Sequence, residues 1–223
     1  MCVQSKSRVL RCIANNRGLT LIEMIGVLAI IAILAAAISP RIFDAIRDSR
    51  ITSFSNAVKA MQTALSQYYA DMGTLYPLNN AGTPVADATG ALLPDILVGV
   101  NTGPNQSTGL WGRCRAPYLD NFNAQNPPIG TTMSMPAVEA RNGNANANNV
   151  TNYDLNNDGA GDFGNTNQIV SLELTGVSQR EFDKLDNIFD DGIGSTDNER
   201  QARGKVKWRN RNGGTLRIYL AHR

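Results

Sequence analysis

The chain has 223 residues and a nearly balanced charge, with 21 Lys and Arg against 19 Asp and Glu. This balance lacks the large basic excess of a protein built to bind nucleic acid, and the length suits one soluble domain plus a further segment. His222 is the only histidine, and no G-x-S-x-G motif, phosphate-binding glycine loop or zinc-ligand spacing is present, so we expect no enzyme.

The N-terminal region combines a basic head with an uncharged apolar run. Residues 1–17 carry four basic side chains and no acidic one. Residues 19–39 then form a stretch of 21 residues in which Glu23 is the sole charge. A helix needs about 20 residues to cross the hydrocarbon core of a membrane. A carboxylate there costs at least ~2.5 kcal/mol, so Glu23 is a candidate functional residue.

The order of residues in this region is specific. Gly18 precedes the apolar run, Glu23 lies five positions later, and Pro40 follows the run. This pattern resembles the leader and first helix of type IV pilins and type II secretion pseudopilins, although Leu19 stands where that family usually has Phe. The resemblance implies that a membrane peptidase cuts after Gly18 and methylates the new N-terminus at Leu19. A plain membrane anchor with an incidental Glu is the alternative.

The resemblance also implies how the chain is organised and what it contacts. It divides the chain into a leader (1–18), a transmembrane or filament-core half-helix (19–39), an amphipathic half-helix (40–73) and a soluble domain (74–223). Glu23 would neutralise the terminal ammonium of a neighbouring subunit, and Pro40 would belong to the assembly segment. The implied partners are copies of the chain or related pilins, the prepilin peptidase, an inner-membrane assembly platform and membrane lipid, but not nucleic acid. The implied location is the bacterial inner membrane, crossed once, and then a periplasmic or extracellular filament.

Beyond Pro40 the apolar residues recur every three or four positions, which is the helical period. We therefore predict one helix from about Thr20 to Met72, bent or locally opened at Pro40 and ended by Gly73. The apolar stripe comprises Phe54, Ala57, Val58, Met61, Ala64, Leu65, Tyr68 and Met72. Residues 74–165 are rich in Asn, Gly, Pro and Thr, which predicts loops, with 92–98 and 111–119 apolar enough to pack and 142–149 a surface loop.

The C-terminal third regains regular patterns. Residues 169–177 alternate like a strand, and Ser178 and Glu181 form a capping box ahead of a helix at 179–189. Val206 and Trp208 mark one further strand, and three alternating apolar residues mark another, with a glycine turn at 212–214 between them. The predicted fold class is α+β, with a long N-terminal helix packed on a small antiparallel sheet. The basic residues of these strands are expected on a solvated face: Lys205, Lys207, Arg209, Arg211 and Arg217.

An acidic loop gives a second chemical signal. Asp154, Asn156, Asp158, the carbonyl of Ala160 and Asp162 occupy the first, third, fifth, seventh and ninth places of a calcium loop, with glycine at the sixth. The twelfth place holds Asn165 rather than Glu, so another segment must complete the shell. The sequence thus predicts a Ca²⁺ site, and the alternative is a solvated Asp/Asn turn. The candidates for the completing ligand are Asp190, Asp191 and Asp197.

Cysteine usage adds one constraint. Loss of the leader removes Cys2 and Cys12 and leaves Cys114 alone, so the mature chain cannot form an internal disulfide. It also leaves 17 Lys and Arg against 19 Asp and Glu, a net charge of about −2.

Three functional hypotheses follow. The first is a structural subunit of a type IV pilus or related filament, which the mature length favours. The second is a type II secretion pseudopilin acting in protein export. The third is a membrane-tethered calcium-binding recognition domain that does not polymerise.

Overall fold

The computed structural model describes residues 19–100, 108–140, 152–191, 203–209 and 214–223. Gly18, Asp197, the predicted loop at 142–149 and most of the glycine turn at 212–214 lie outside these ranges. The chain divides into two compact units, Met1–Ile46 and Arg47–Arg223. The long helix contributes to both units, and each unit is described by itself below.

Helix α1 spans Leu21–Met72 and continues through Pro40. Both predicted ends are confirmed to within a residue, and Gly73 follows in the left-handed region with φ +69°, where a glycine carries no steric penalty. The apolar stripe is also confirmed, because seven of its eight residues are buried and Ala57 is half-buried against the same core. Ile51 is also buried and extends the stripe toward the N-terminus.

Among the described residues, five antiparallel strands form one sheet, whose path is β1-β3-β5-β4 with β2 also paired to β3. The strands are β1 (Thr132–Ser134), β2 (Ala137–Glu139), β3 (Gln168–Thr175), β4 (Val206–Arg209) and β5 (Thr215–His222). The predicted strands β3, β4 and β5 are confirmed. β1 and β2 were not predicted, because three-residue strands are too short to show alternation.

One face of the sheet packs on the second half of α1. The inward residues of β5 are Leu216, Ile218 and Leu220, and they share a core with Leu172 of β3 and Phe54 of α1. This is the arrangement expected of an α+β fold, since each element buries its single apolar face against the other. The fold class predicted from the sequence is therefore confirmed.

Short elements cover the ends of this core. Helix α2 (Leu92–Leu97) and a 3₁₀ turn (Gly109–Arg113) contribute Leu93 and Trp111 to the core, as the apolar runs predicted. Helix α3 (Gln179–Asp190) begins at the predicted capping box: Ser178 Oγ accepts from Glu181 N, and Glu181 accepts from Ser178 N. Phe182 of α3 stacks on Trp208 with ring centroids 5.2 Å apart.

The opposite face of the sheet carries a second, smaller apolar cluster. Tyr153 and Phe163 lie at the two ends of the acidic loop and pack with Ile169 of β3 and Tyr219 of β5. The ring centroids of Tyr153 and Tyr219 are 5.5 Å apart, and those of Phe163 and Tyr219 are 5.9 Å apart. The acidic loop is thus held at both ends against the back of the sheet.

Candidate functional sites

The apolar half of α1 is exposed along its whole length. Its large side chains from Leu19 to Ile46 are 45–78% exposed. The described part of the chain contains one helix, α1, that is long and apolar enough to cross a membrane. An exposed apolar surface of this extent marks a site of interaction with a membrane or with other protein chains.

Glu23 caps the start of this helix. Thr20 is the residue before the first helical turn, and its amide and hydroxyl each donate to Glu23 Oε2 at 2.8 Å. In return, Thr20 Oγ1 accepts from the amide of Glu23 at 3.4 Å. This capping box was missed in the sequence analysis, although Thr20-Leu21-Ile22-Glu23 is its T-x-x-E signature. The carboxylate therefore has a partner within its own chain.

Comparison with known proteins matches this segment. Residues 13–39 fit the family model of the prokaryotic N-terminal methylation motif. The chain is 35% identical over 102 residues to a fimbrial protein, EcpC, of Eikenella corrodens, covering 43% of the chain and 66% of that protein. It is 30% identical over 100 residues to the type IV major pilin protein PilE1 of Neisseria gonorrhoeae, covering 43% and 46%. The chain thus spans less than two thirds of the length of these relatives.

The chain belongs to the type IV pilin family. The methylation motif and the apolar helix fit a pilin that is first anchored in a membrane and then assembled. Leu19 is the first described residue and is 66% exposed, and Pro40 lies inside α1. Gly18, the predicted cleavage residue, falls outside the described ranges.

The acidic loop of this pilin is ordered by its own amides. Asp154 is fully buried, and its two carboxylate oxygens accept from the amides of Asp158 (3.0 Å) and Gly159 (2.8 Å). Asp162 Oδ2 accepts from the amide of Leu155 at 2.5 Å, and Asp158 Oδ1 accepts from that of Ala160 at 2.7 Å. Asn157 (φ 61°) and Gly159 (φ 88°) adopt left-handed conformations that turn these amides inward.

Two of the predicted calcium ligands meet at one amide, since Asp154 Oδ1 and Asn156 Oδ1 both accept from the amide of Asp158, at 3.0 and 2.9 Å. Among the described residues, no three Asp, Glu, His or Cys side chains are grouped so that they could hold a metal ion. Asp190 is occupied elsewhere, since its carboxylate accepts from the amides of Lys205 and Val206 at 2.8–2.9 Å. Asp191 ends α3 in a left-handed conformation, and Asp197 lies outside the described ranges. Calcium binding remains a prediction of the sequence.

Two cationic side chains lie beside the acidic loop, and the sequence analysis did not recognise either as a neighbour of the loop. Lys207 is only 3% exposed, donates to the carbonyl of Asn152 and lies 4.8 Å from the ring centre of Tyr153. Burial lowers the pKa of Lys207 to about 7, while the Asp154 carboxylate opposes that change. Arg203 places its Nε 3.9 Å from Asp154 Oδ2. The expectation that Lys207 belongs to a solvated basic face is therefore wrong.

That expectation failed because it assumed a sheet with one open face. Lys207 pairs in register with Arg217, and Arg217 is bonded to Glu173 at 2.5 Å on the same face of the sheet. Residues 152–163 cover that face, and no sequence pattern indicates which loop will do so. Cys114 is half-buried beside Trp111, and its thiol is free.

Proposed function

We propose that this pilin is a structural subunit of a type IV pilus or a closely related filament. The observation that carries the proposal is the exposed apolar helix that begins at a methylation motif and bears one carboxylate near its start. A surface of that kind is stable in lipid before assembly and against other copies of the same helix after it. The names of the two relatives, a fimbrial protein and a major pilin, favour a pilus over a secretion pseudopilin.

The proposed pathway begins in the inner membrane, with the C-terminal domain outside the cytoplasm. A prepilin peptidase removes residues 1–18 and methylates Leu19. The subunit then leaves the membrane through an assembly platform and enters a filament of identical or related pilins. The contribution of this chain is the apolar surface of α1, which must remain uncharged along one side for helices to pack in a dry filament core.

Glu23 gives that packing its register. The new ammonium at Leu19 and the Glu23 carboxylate are both charged, and neither is tolerated alone in an apolar core. Stacking with an axial stagger places Glu23 of one subunit against the ammonium of the next. The capping box supports this role in two ways. It fixes the Glu23 side chain at the start of the helix, and both bonds from Thr20 go to one oxygen, Oε2, so neither uses Oε1.

Mass spectrometry and electron microscopy test the proposal together. The protein is isolated from cells that contain the peptidase, and we expect a mature N-terminus at methylated Leu19 together with filaments. An intact Met1 terminus would contradict the processing step. A correctly processed chain that forms no filaments, alone or with related pilins, would instead favour a tethered recognition domain.

A further inference from the structure

The acidic loop, defined as residues 154–162, gathers three carboxylates on the back of the sheet without a grouped metal site. Asp154 is the most deeply placed of these, since it is fully buried. A buried carboxylate needs a compensating charge as well as hydrogen bonds, because low-dielectric burial penalises an isolated ion. The amides of Asp158 and Gly159 supply the hydrogen bonds.

Arg203 lies across the loop where a compensating charge is needed. Its Nε is 3.9 Å from Asp154 Oδ2, and its Nη1 donates to Asn157 Oδ1 at 3.4 Å. Its Nη2 lies 3.2 Å from the point where a side chain on Gly159 would begin. One guanidinium thus reaches the first, fourth and sixth positions of the loop.

The segment that carries Arg203 is itself fixed to the loop and to α3. The amide of Gly204 donates to the carbonyl of Asp154 at 2.7 Å. On its other side, the amides of Lys205 and Val206 donate to Asp190. The backbone that follows Arg203 is therefore fixed by hydrogen bonds at Gly204, Lys205 and Val206, which reduces the entropy lost when the guanidinium is held over the loop.

We propose that Arg203 is a built-in cation for the acidic loop, taking the role that the sequence pattern assigns to calcium, so that the loop is folded without metal. This inference is independent of the proposed filament role. The guanidinium is always charged and offers several donors in one plane, which suits a loop with carboxylate and amide oxygens on one side.

The test compares thermal unfolding of the full chain in detergent micelles, in chelator and in millimolar calcium, followed by tryptophan fluorescence. We expect the wild-type protein to unfold at the same temperature in both conditions. Arg203→Gln should lower the unfolding temperature by about 2–4 °C in both, which corresponds to losing one moderate ion pair in a chain of this size. The control is Lys205→Gln, which removes the same charge from an exposed neighbour and should change little.

A double-variant cycle identifies the partner of Arg203. On an Asp154→Asn background, Arg203→Gln should be less destabilising than in the wild type, since the charge it balances is already gone. Equal costs on the two backgrounds would overturn the proposal, as would equal effects of Arg203→Gln and Lys205→Gln.

Amide hydrogen exchange of the wild-type chain provides a measurement that does not depend on a variant folding. The amides of Asp158 and Gly159 should be protected equally in chelator and in calcium. Faster exchange in chelator, or a higher unfolding temperature in calcium, would overturn the proposal and support the calcium site predicted from the sequence.

Discussion

Asp87 is a buried carboxylate that organises the turn before α2. Its Oδ1 accepts from the amides of Thr89 and Gly90 and from the hydroxyl of Thr89, and its Oδ2 accepts from the amide of Leu92. Burial by itself raises the pKa of this carboxyl, but the bonds from Thr89, Leu92 and Gly90 outweigh it and hold the pKa of Asp87 below its usual value.

The lowered pKa of Asp87 predicts how the stability of the protein changes with pH. A carboxyl whose pKa falls on folding stabilises the protein above its unfolded pKa, and this stabilisation is lost as the pH falls through the folded value. Asp87→Asn should therefore lower the unfolding temperature by about 2–4 °C at pH 7, since Asn has one acceptor oxygen rather than two. The gap between the two proteins should close as the pH is lowered below the carboxyl range. An unchanged gap in acid would show that the charge of Asp87 does not contribute.

At the level of elements, the link between α3 and β4 depends on a close approach of backbone to side chain. Gly204 has φ +79°, and a side chain added there would begin 2.5 Å from the carboxylate of Asp190. The same carboxylate holds the two amides that lead into β4. The edge strand is thus positioned by the last residue of the preceding helix.

We expect Gly204→Ala to be strongly destabilising, by roughly 2–4 kcal/mol, because left-handed strain and a displaced carboxylate add together. The matched control is Gly112→Ala, since nothing lies within 4 Å of a side chain added at Gly112. Chemical unfolding of the two variants measures the difference. Equal stability of the two would mean that the turn relaxes without cost.

The end of α1 is held by a residue from far along the chain. Arg223 donates to the carbonyl of Gly73, and its guanidinium lies 5.5 Å from the ring centre of Tyr69. The last turn of α1 contains no basic residue of its own. A cation at this position interacts favourably with the unpaired carbonyls at the end of a helix, an effect worth about 0.3–1 kcal/mol.

Arg223→Gln should consequently increase fraying of the last turn of α1 without unfolding the domain. Hydrogen exchange should quicken in the last turn of α1, which ends at Met72, and stay unchanged around Phe54. Arg223→Lys should retain most of the protection because it keeps the positive charge. Uniformly faster exchange in the Gln variant would instead indicate a global effect on the fold.

At the scale of the whole molecule, a pair of variants can separate the observed role of Glu23 as a helix cap from its proposed role in assembly. As a cap it needs an acceptor three residues after Thr20, and Gln provides one. As the partner of a neighbour's ammonium it needs a negative charge, which Gln lacks. We expect Glu23→Ala and Glu23→Gln to be processed and inserted normally but to reduce filament yield by similar factors of about tenfold or more, scored by shearing and microscopy. Wild-type yield from the Gln variant would show that capping, not charge, is what assembly needs.

Processing is the second prediction at this scale. Gly18→Val should block removal of the leader, because the branched side chain of valine would be too large for the peptidase site that accepts glycine. The variant should accumulate with an intact Met1 terminus and form no filaments. Normal maturation of this variant, read by mass spectrometry, would place the cleavage elsewhere.

The sequence by itself determined the family, the extent of α1 and the main strands. A 3.6-residue stripe, the S-x-x-E cap at Ser178 and two-residue alternation are local patterns, so they can be recognised without knowing what packs on them. The apolar segment and Glu23 were identifiable for the same reason, since a single charged residue within an uncharged run is evident from the sequence alone. The tertiary structure decided which face of the sheet residues 152–163 cover, and therefore that Lys207 is buried and that Arg203 lies over Asp154. Those contacts join residues about 50 positions apart, and their energies depend on burial and distance, which no local pattern encodes.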